Sequence, residues 1–130
     1  CNIVAVAGLN AALKVIDPDV CMKHERELGD YLIERLSEIK TVKIYIPKDR
    51  QAHVGIVSFV VDGYTSEDLG MILDEDFDIA VRTGYHCAPF IHKYLKDENT
   101  LGTVRVGLGQ FSVKEDIDKL QRGLKEIIYE

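Results

Sequence analysis

The chain has 130 residues, of which 46% are hydrophobic and 29% charged, and a formal net charge of −6 at pH 7. This length predicts a single domain spanning 1–130, with enough chain to bury roughly two-thirds of the surface its unfolded form exposes. The acidic balance argues against a nucleic-acid partner, which needs a basic footprint against phosphates, and against an anionic lipid surface.

Residues 3–16 are rich in Ala and branched aliphatics and predict a helix that is apolar nearly all round, hence packed on several sides. The run is shorter than the roughly 20 residues that span a bilayer, so no membrane partner is expected. No basic stretch precedes it, which argues against a signal peptide. Asp17 and Pro18 supply a cap and a first helical residue. Val20, Leu28, Leu32, Leu36 and Ile39 then mark one apolar stripe of an amphipathic helix about twenty residues long. Val42, Ile44 and Ile46 alternate with polar neighbours as a strand ended by Pro47. After a short polar turn, residues 54–61 are apolar on both faces and predict a central strand, so the two strands form an antiparallel hairpin. Thr65 and Ser66 can cap a helix that turns Leu69, Ile72 and Leu73 inward. Residues 79–81 predict a further strand ending at Arg82. Residues 83–102 are irregular, with a helical turn or two near Phe90. Val104, Val106 and Leu108 alternate as a fourth strand. Ser112 and Glu115 have capping-box spacing ahead of a last helix with Ile117, Leu120 and Leu124 inward. The expected fold is α+β with two layers: a small, largely antiparallel, four-stranded sheet with helices packed on one face.

The chemistry concentrates in Arg82-Thr83-Gly84-Tyr85-His86-Cys87-Ala88-Pro89. Cys87 lies in a loop past a strand end, where Gly84 permits a tight turn and Pro89 stiffens the exit. A thiolate is the nucleophilic form, and cations such as His86 and Arg82 favour it. The competing reading is a small buried hydrophobe beside an incidental histidine. His86, Cys87 and His92 match no known metal-ligand spacing, and no metal site is expected. Strand alternation sets Arg105 on the face opposite Val104 and Val106, with small neighbours around it. That setting suits bidentate binding of a carboxylate; the alternative is an ordinary surface arginine. Cys1, Cys21 and Cys87 are odd in number and contain no CxxC, which argues against a disulfide framework and for a reducing cytoplasm. Cys21 lies in an amphipathic helix and reads as core.

The element 82–89, the run Gly102-Thr103-Val104-Arg105-Val106 and the run Phe111-Ser112-Val113-Lys114-Glu115-Asp116-Ile117-Asp118 together resemble the C-terminal part of cysteine desulfurases. These are pyridoxal-phosphate (PLP) enzymes of the class V aminotransferase family. The opening Ala7-Gly8-Leu9-Asn10-Ala11-Ala12-Leu13 is similar to the helix leading out of their large domain. The resemblance implies that Cys87 accepts sulfur from L-cysteine as a persulfide, releasing alanine, and that Arg105 binds the substrate carboxylate. It implies supporting electrostatic or proton-transfer roles for His86 and Arg82. It also implies PLP in the complete protein, a sulfur-acceptor protein as partner, and a homodimer. The family's Schiff-base lysine has no counterpart here, so the chain reads as a C-terminal fragment that holds no PLP and is inactive alone. Tyr85 stands where many relatives have His, which leaves the preferred substrate open. Other readings are the small domain of a different class V aminotransferase or lyase, such as a selenocysteine lyase, and a free-standing sulfur-carrier or binding module.

Overall fold

The computed structural model describes residues 2–129. In chain order its elements are α1 (Ile3–Val15), α2 (Pro18–Ser37), β1 (Val42–Tyr45), β2 (Ile56–Val61), α3 (Ser66–Phe77), α4 (Pro89–Leu95), β3 (Val104–Gly107) and α5 (Lys114–Tyr129). The sheet has the order β1-β2-β3, and both pairings are antiparallel. The chain is thus α+β as its pattern predicts, with β2 central.

Alternation along β2 assigns the faces. Val57, Phe59 and Val61 are buried in the core. Across from them lie Val42 and Ile44 of β1 and Val104 and Val106 of β3. This face meets Leu28, Leu32 and Leu36 of α2, Leu69 and Leu73 of α3, and Ile117, Leu120 and Leu124 of α5. The helical stripes repeat every three or four residues and the strand residues every two, so the two patterns interdigitate in one apolar layer. The other face carries Tyr45, Ser58 and Arg105, which are neighbours across the three strands.

The sheet has three strands among the described residues, not four. Residues 79–81 form no ladder. The Ile79 amide instead donates to the Leu73 carbonyl at the end of α3, 2.9 Å away, and Asp78 takes a left-handed conformation there. The chain is therefore still leaving the helix at these positions. Ile79 and Val81 pack against the core without pairing, and contact with β3 begins only at Arg82.

Helix α1 departs from expectation in another way. It forms, with the Asn2 side chain accepting from the Ala5 amide, but none of its residues is buried. Its apolar composition reports a need for cover that the rest of the described chain does not supply. The helix starts at α2 and α3 behave as read. Asp17 accepts from the Asp19 and Val20 amides, and Thr65 accepts from the Asp68 amide. At α5 the capping box does not form. Ser112 accepts from the Gly109 amide, and Asp116 rather than Glu115 reaches back to the Val113 amide. The short connection between β1 and β2 holds a turn of 3₁₀-helix, Arg50–Ala52.

Leu36 is fully buried between α2 and the sheet. Leu36→Ala is expected to lower stability by about 2–5 kcal/mol, read as a lower denaturant midpoint with an unchanged slope.

Candidate active site

Two stretches 20 residues apart in sequence are joined by backbone. Arg82 N–H donates to Arg105 O at 3.1 Å, and Arg105 N–H donates to Arg82 O at 2.7 Å. Gly84 N–H donates to Thr103 O, and Thr103 N–H donates to Gly84 O, each at 3.1 Å. These four bonds fasten the 82–84 segment along the outer edge of β3. Ser66, buried at the start of α3, donates to the Leu101 carbonyl and accepts from the Gly84 amide, so a helix end braces the same junction. Gly102 makes the approach possible. Its φ is +95°, and an added Cβ would collide with the Gly84 carbonyl.

Arg82 and Arg105 are directly opposite in this pairing. Residues so placed share a face of a sheet, with Cβ atoms about 5 Å apart. Among the described residues neither guanidinium has an ion-pair partner. Like charges opposite each other are destabilising, so the position favours an anion between or above them. Arg105 lines a cleft of about 580 Å³ together with Tyr45, Ser58, His86, Ala88 and His92. Arg82 is exposed beside it.

Cys87 is a free, exposed thiol between His86 and Ala88, both of which line the cleft. It sits on a tight turn in which the Ala88 amide donates to the Tyr85 carbonyl at 2.8 Å. The two central residues, His86 and Cys87, have φ of 50° and 62°. This is a mirror-image turn, and it is ordinarily made with Gly or Asn. Without glycine it costs about 1–2 kcal/mol per residue, so other contacts must hold it. Cys87 is therefore displayed, not folded into the core.

His86 faces Thr103 through Nε2, 3.1 Å from the carbonyl and 2.9 Å from Oγ1. A ring nitrogen facing a carbonyl donates its proton, so the neutral ring leaves Nδ1 bare. That atom is buried and has no hydrogen-bond partner among the described residues. Burial first, then the positive Arg105 and more weakly His92 and Arg82, hold the ring below its ordinary pKa, against the Thr103 bond that favours the charged form. His86 is thus inclined to neutrality. It is better placed to move a proton than to serve as the fixed cation the sequence pattern suggests.

The structure brings His86 and Arg105 into one cleft and sets Arg82 opposite Arg105 in the backbone pairing; Cys87 stands exposed next to His86 without lining the cleft itself. Residues to which the sequence reading gives no part in the site also shape the place. Thr103 holds the His86 ring, and Ser66 braces the loop. The Tyr45 hydroxyl is a buried polar atom without a partner among the described residues. Thr103 precedes a strand and Ser66 follows a helix cap, positions where hydroxyl residues are common, so nothing in their surroundings marks them. Cys21 is half-buried, with its Sγ 3.5 Å from the Gln110 side chain, and is not a core residue. Among the described residues no three His, Cys, Asp or Glu groups gather as a metal site. Among the described residues no helix is long and apolar enough to cross a membrane.

Gly102→Ala combines a left-handed strain with a backbone collision. It is expected to cost more than about 1–2 kcal/mol, seen as a lower denaturant midpoint. The folded state binds fewer protons at His86 than the unfolded chain does. This share of stability is therefore present above the unfolded value, about 6.5, and is lost as pH falls through the folded one. His86→Gln should flatten the decline of stability with acidification in that window, measured by denaturant midpoints at successive pH values; an unchanged decline would contradict the assignment.

The sequence model of the class-V aminotransferase family matches residues 1–120. A probable cysteine desulfurase of Halalkalibacterium halodurans is 36% identical over 127 residues, which is 95% of this chain and 30% of that protein. A cysteine desulfurase of Dickeya dadantii is 32% identical over 130 residues, 97% of this chain and 30% of its own length. The apo structure of a cysteine desulfurase from Thermococcus onnurineus superposes with a TM-score of 0.74 at 33% identity, covering 82% of this chain and 26% of that one. A cysteine desulfurase structure from Escherichia coli shares the fold over 99% of this chain, with a TM-score of 0.80 at 23% identity. The chain thus spans about 30% of the length of the curated relatives it matches. With a match across 120 residues, and with both motif pieces meeting at one cleft, the chain belongs to the class-V aminotransferase family.

Proposed function

We propose that this chain is the part of a cysteine desulfurase that carries the sulfur-accepting thiol and the clamp for the substrate carboxylate. The observation that carries the reading is the pair of opposed arginines, Arg82 and Arg105, on the segment that leads into the turn displaying an exposed cysteine. An amino acid docked by its carboxylate on Arg105 would be held in the cleft that His86 and Ala88 border. A planar guanidinium fixes such a carboxylate in direction as well as place. The loop position lets the thiol visit the substrate and then turn toward an acceptor protein.

In this reading the Cys87 thiolate attacks the sulfur of L-cysteine. The new S–S bond leaves a persulfide on Cys87. The substrate C–S bond breaks, its electron pair stays with the carbon skeleton, and protonation gives alanine. His86 precedes the thiol and keeps a neutral ring whose Nδ1 has no partner among the described residues, so it is the candidate proton carrier once loop movement or a water brings that nitrogen within reach of the thiol. Arg82 adds positive charge opposite Arg105, where the substrate carboxylate would dock.

The electrons of the C–S bond need a sink that this chain does not contain. In the family that sink is PLP, bound through a lysine as a Schiff base, and no lysine lines this cleft. The residues here do not fit a cofactor anchor. They supply the thiol and the carboxylate clamp, and the isolated chain is expected neither to bind PLP firmly nor to turn over cysteine. Among the described residues Cys21 and Cys87 are free thiols, which suits a reducing cytoplasm. A homodimer is the family's usual assembly for the complete protein.

In the complete, cofactor-loaded protein, Cys87→Ala should abolish sulfur release while the cofactor's visible absorbance persists. Arg105→Ala should raise the KM for L-cysteine by about 10- to 100-fold, the value of a charge-assisted hydrogen bond. Normal turnover in the Cys87→Ala protein would end this reading.

A further inference from the structure

His92 and Asp97 are almost sealed from solvent, each 3% exposed. His92 Nδ1 lies 2.8 Å from Asp97 Oδ2, and Nε2 lies 3.1 Å from the carbonyl of Tyr85. That carbonyl is the first corner of the turn carrying Cys87, and it also receives the Ala88 amide. The Tyr85 ring meets the His92 ring edge-on, with centroids 5.1 Å apart. Asp97 is itself fixed. Its backbone carbonyl accepts from the Thr100 amide at 3.1 Å and the Gly102 amide at 3.4 Å, in the turn that leads into β3. Its Oδ1 has no partner among the described residues.

A pair this deeply buried costs desolvation, which its hydrogen bonds must offset. A carbonyl cannot donate, so the contact with Tyr85 requires a proton on Nε2. The left-handed residues His86 and Cys87 need an outside restraint, and the doubly engaged Tyr85 carbonyl is the atom through which one acts.

We propose that His92, oriented by Asp97, is the positioning residue of the nucleophile. It grips the Tyr85 carbonyl and so holds Cys87 at the second central position of its mirror-image turn. The chain of contacts runs from Asp97 at the approach to β3, through the His92 ring, to the loop. It thereby fixes the thiol relative to Arg105, the other end of the substrate site. The consequence for sulfur transfer rests on the desulfurase reading; the dependence of the turn on His92 does not.

The test compares wild type, His92→Leu and His92→Gln in the complete, cofactor-loaded protein. The glutamine amide keeps a donor that reaches the same carbonyl. His92→Leu should lower kcat for L-cysteine about tenfold with KM nearly unchanged, and should quicken hydrogen exchange of the Ala88 amide by a similar factor, the value of one lost hydrogen bond. His92→Gln should recover most of both. Wild-type Ala88 exchange in a folded His92→Leu protein overturns the proposal, as does equal impairment in the Leu and Gln variants. If His92→Leu does not fold, the ¹⁵N shift of His92 Nε2 in the wild type decides: a proton-bearing nitrogen supports the grip, and a bare one overturns it. If the wild type itself does not release sulfur from cysteine, the desulfurase reading fails alone, because Ala88 exchange still answers for the turn.

Discussion

The cleft end of this chain depends on four backbone hydrogen bonds between residues 82–84 and 103–105. They need no particular side chain, yet they decide what every side chain nearby does. They set two guanidiniums opposite each other and start the loop that presents Cys87. They also place Thr103 where it can hold the His86 ring. Backbone pairing of this kind is a rigid and geometrically narrow way to align groups from distant parts of a sequence. Glycine at 102 is the local condition for it, because any side chain there would strike the Gly84 carbonyl.

The sheet divides its labour by alternation. Val57, Phe59 and Val104 point into the helical layer and supply stability, while Ser58 and Arg105 point the other way and line the cleft. One register therefore serves both. A slip of one residue would turn Arg105 into the apolar layer and expose Val104, which the burial energy of the core forbids. The precision of the site is inherited from packing on the far side of the sheet.

Much of this was legible in the residues. The stripe Leu28, Leu32, Leu36 keeps a helical period over many turns, and the alternation around Arg105 leaves only one face for a guanidinium. Cys87 and His86 declare themselves by chemical type. The extra strand did not survive because Ile79 and Val81 satisfy two demands alike, pairing in a sheet and packing beside one. Their composition cannot distinguish these demands, and the left-handed Asp78 that decides between them has no apolar signature. The burial of α1 was inferred from apolarity, which tells how much surface wants cover and not where the cover lies. The His92–Asp97 contact was invisible for a different reason. Five residues separate the two, and they meet only because Lys96 reverses the chain with a left-handed φ of 56°.

Helix α1 leaves the chain with two unequal levels of resistance to opening. Thirteen residues of helix with no buried side chain draw support from their own hydrogen bonds alone, and in water such a segment is marginal. The layer of α2, α3, α5 and the sheet is instead cooperative, because each of these elements shares the same apolar contacts. Left bare in solvent, α1 would fray first and melt without disturbing the sheet. A loss of helical signal at mild temperature would then report on this arm and not on the integrity of the cleft.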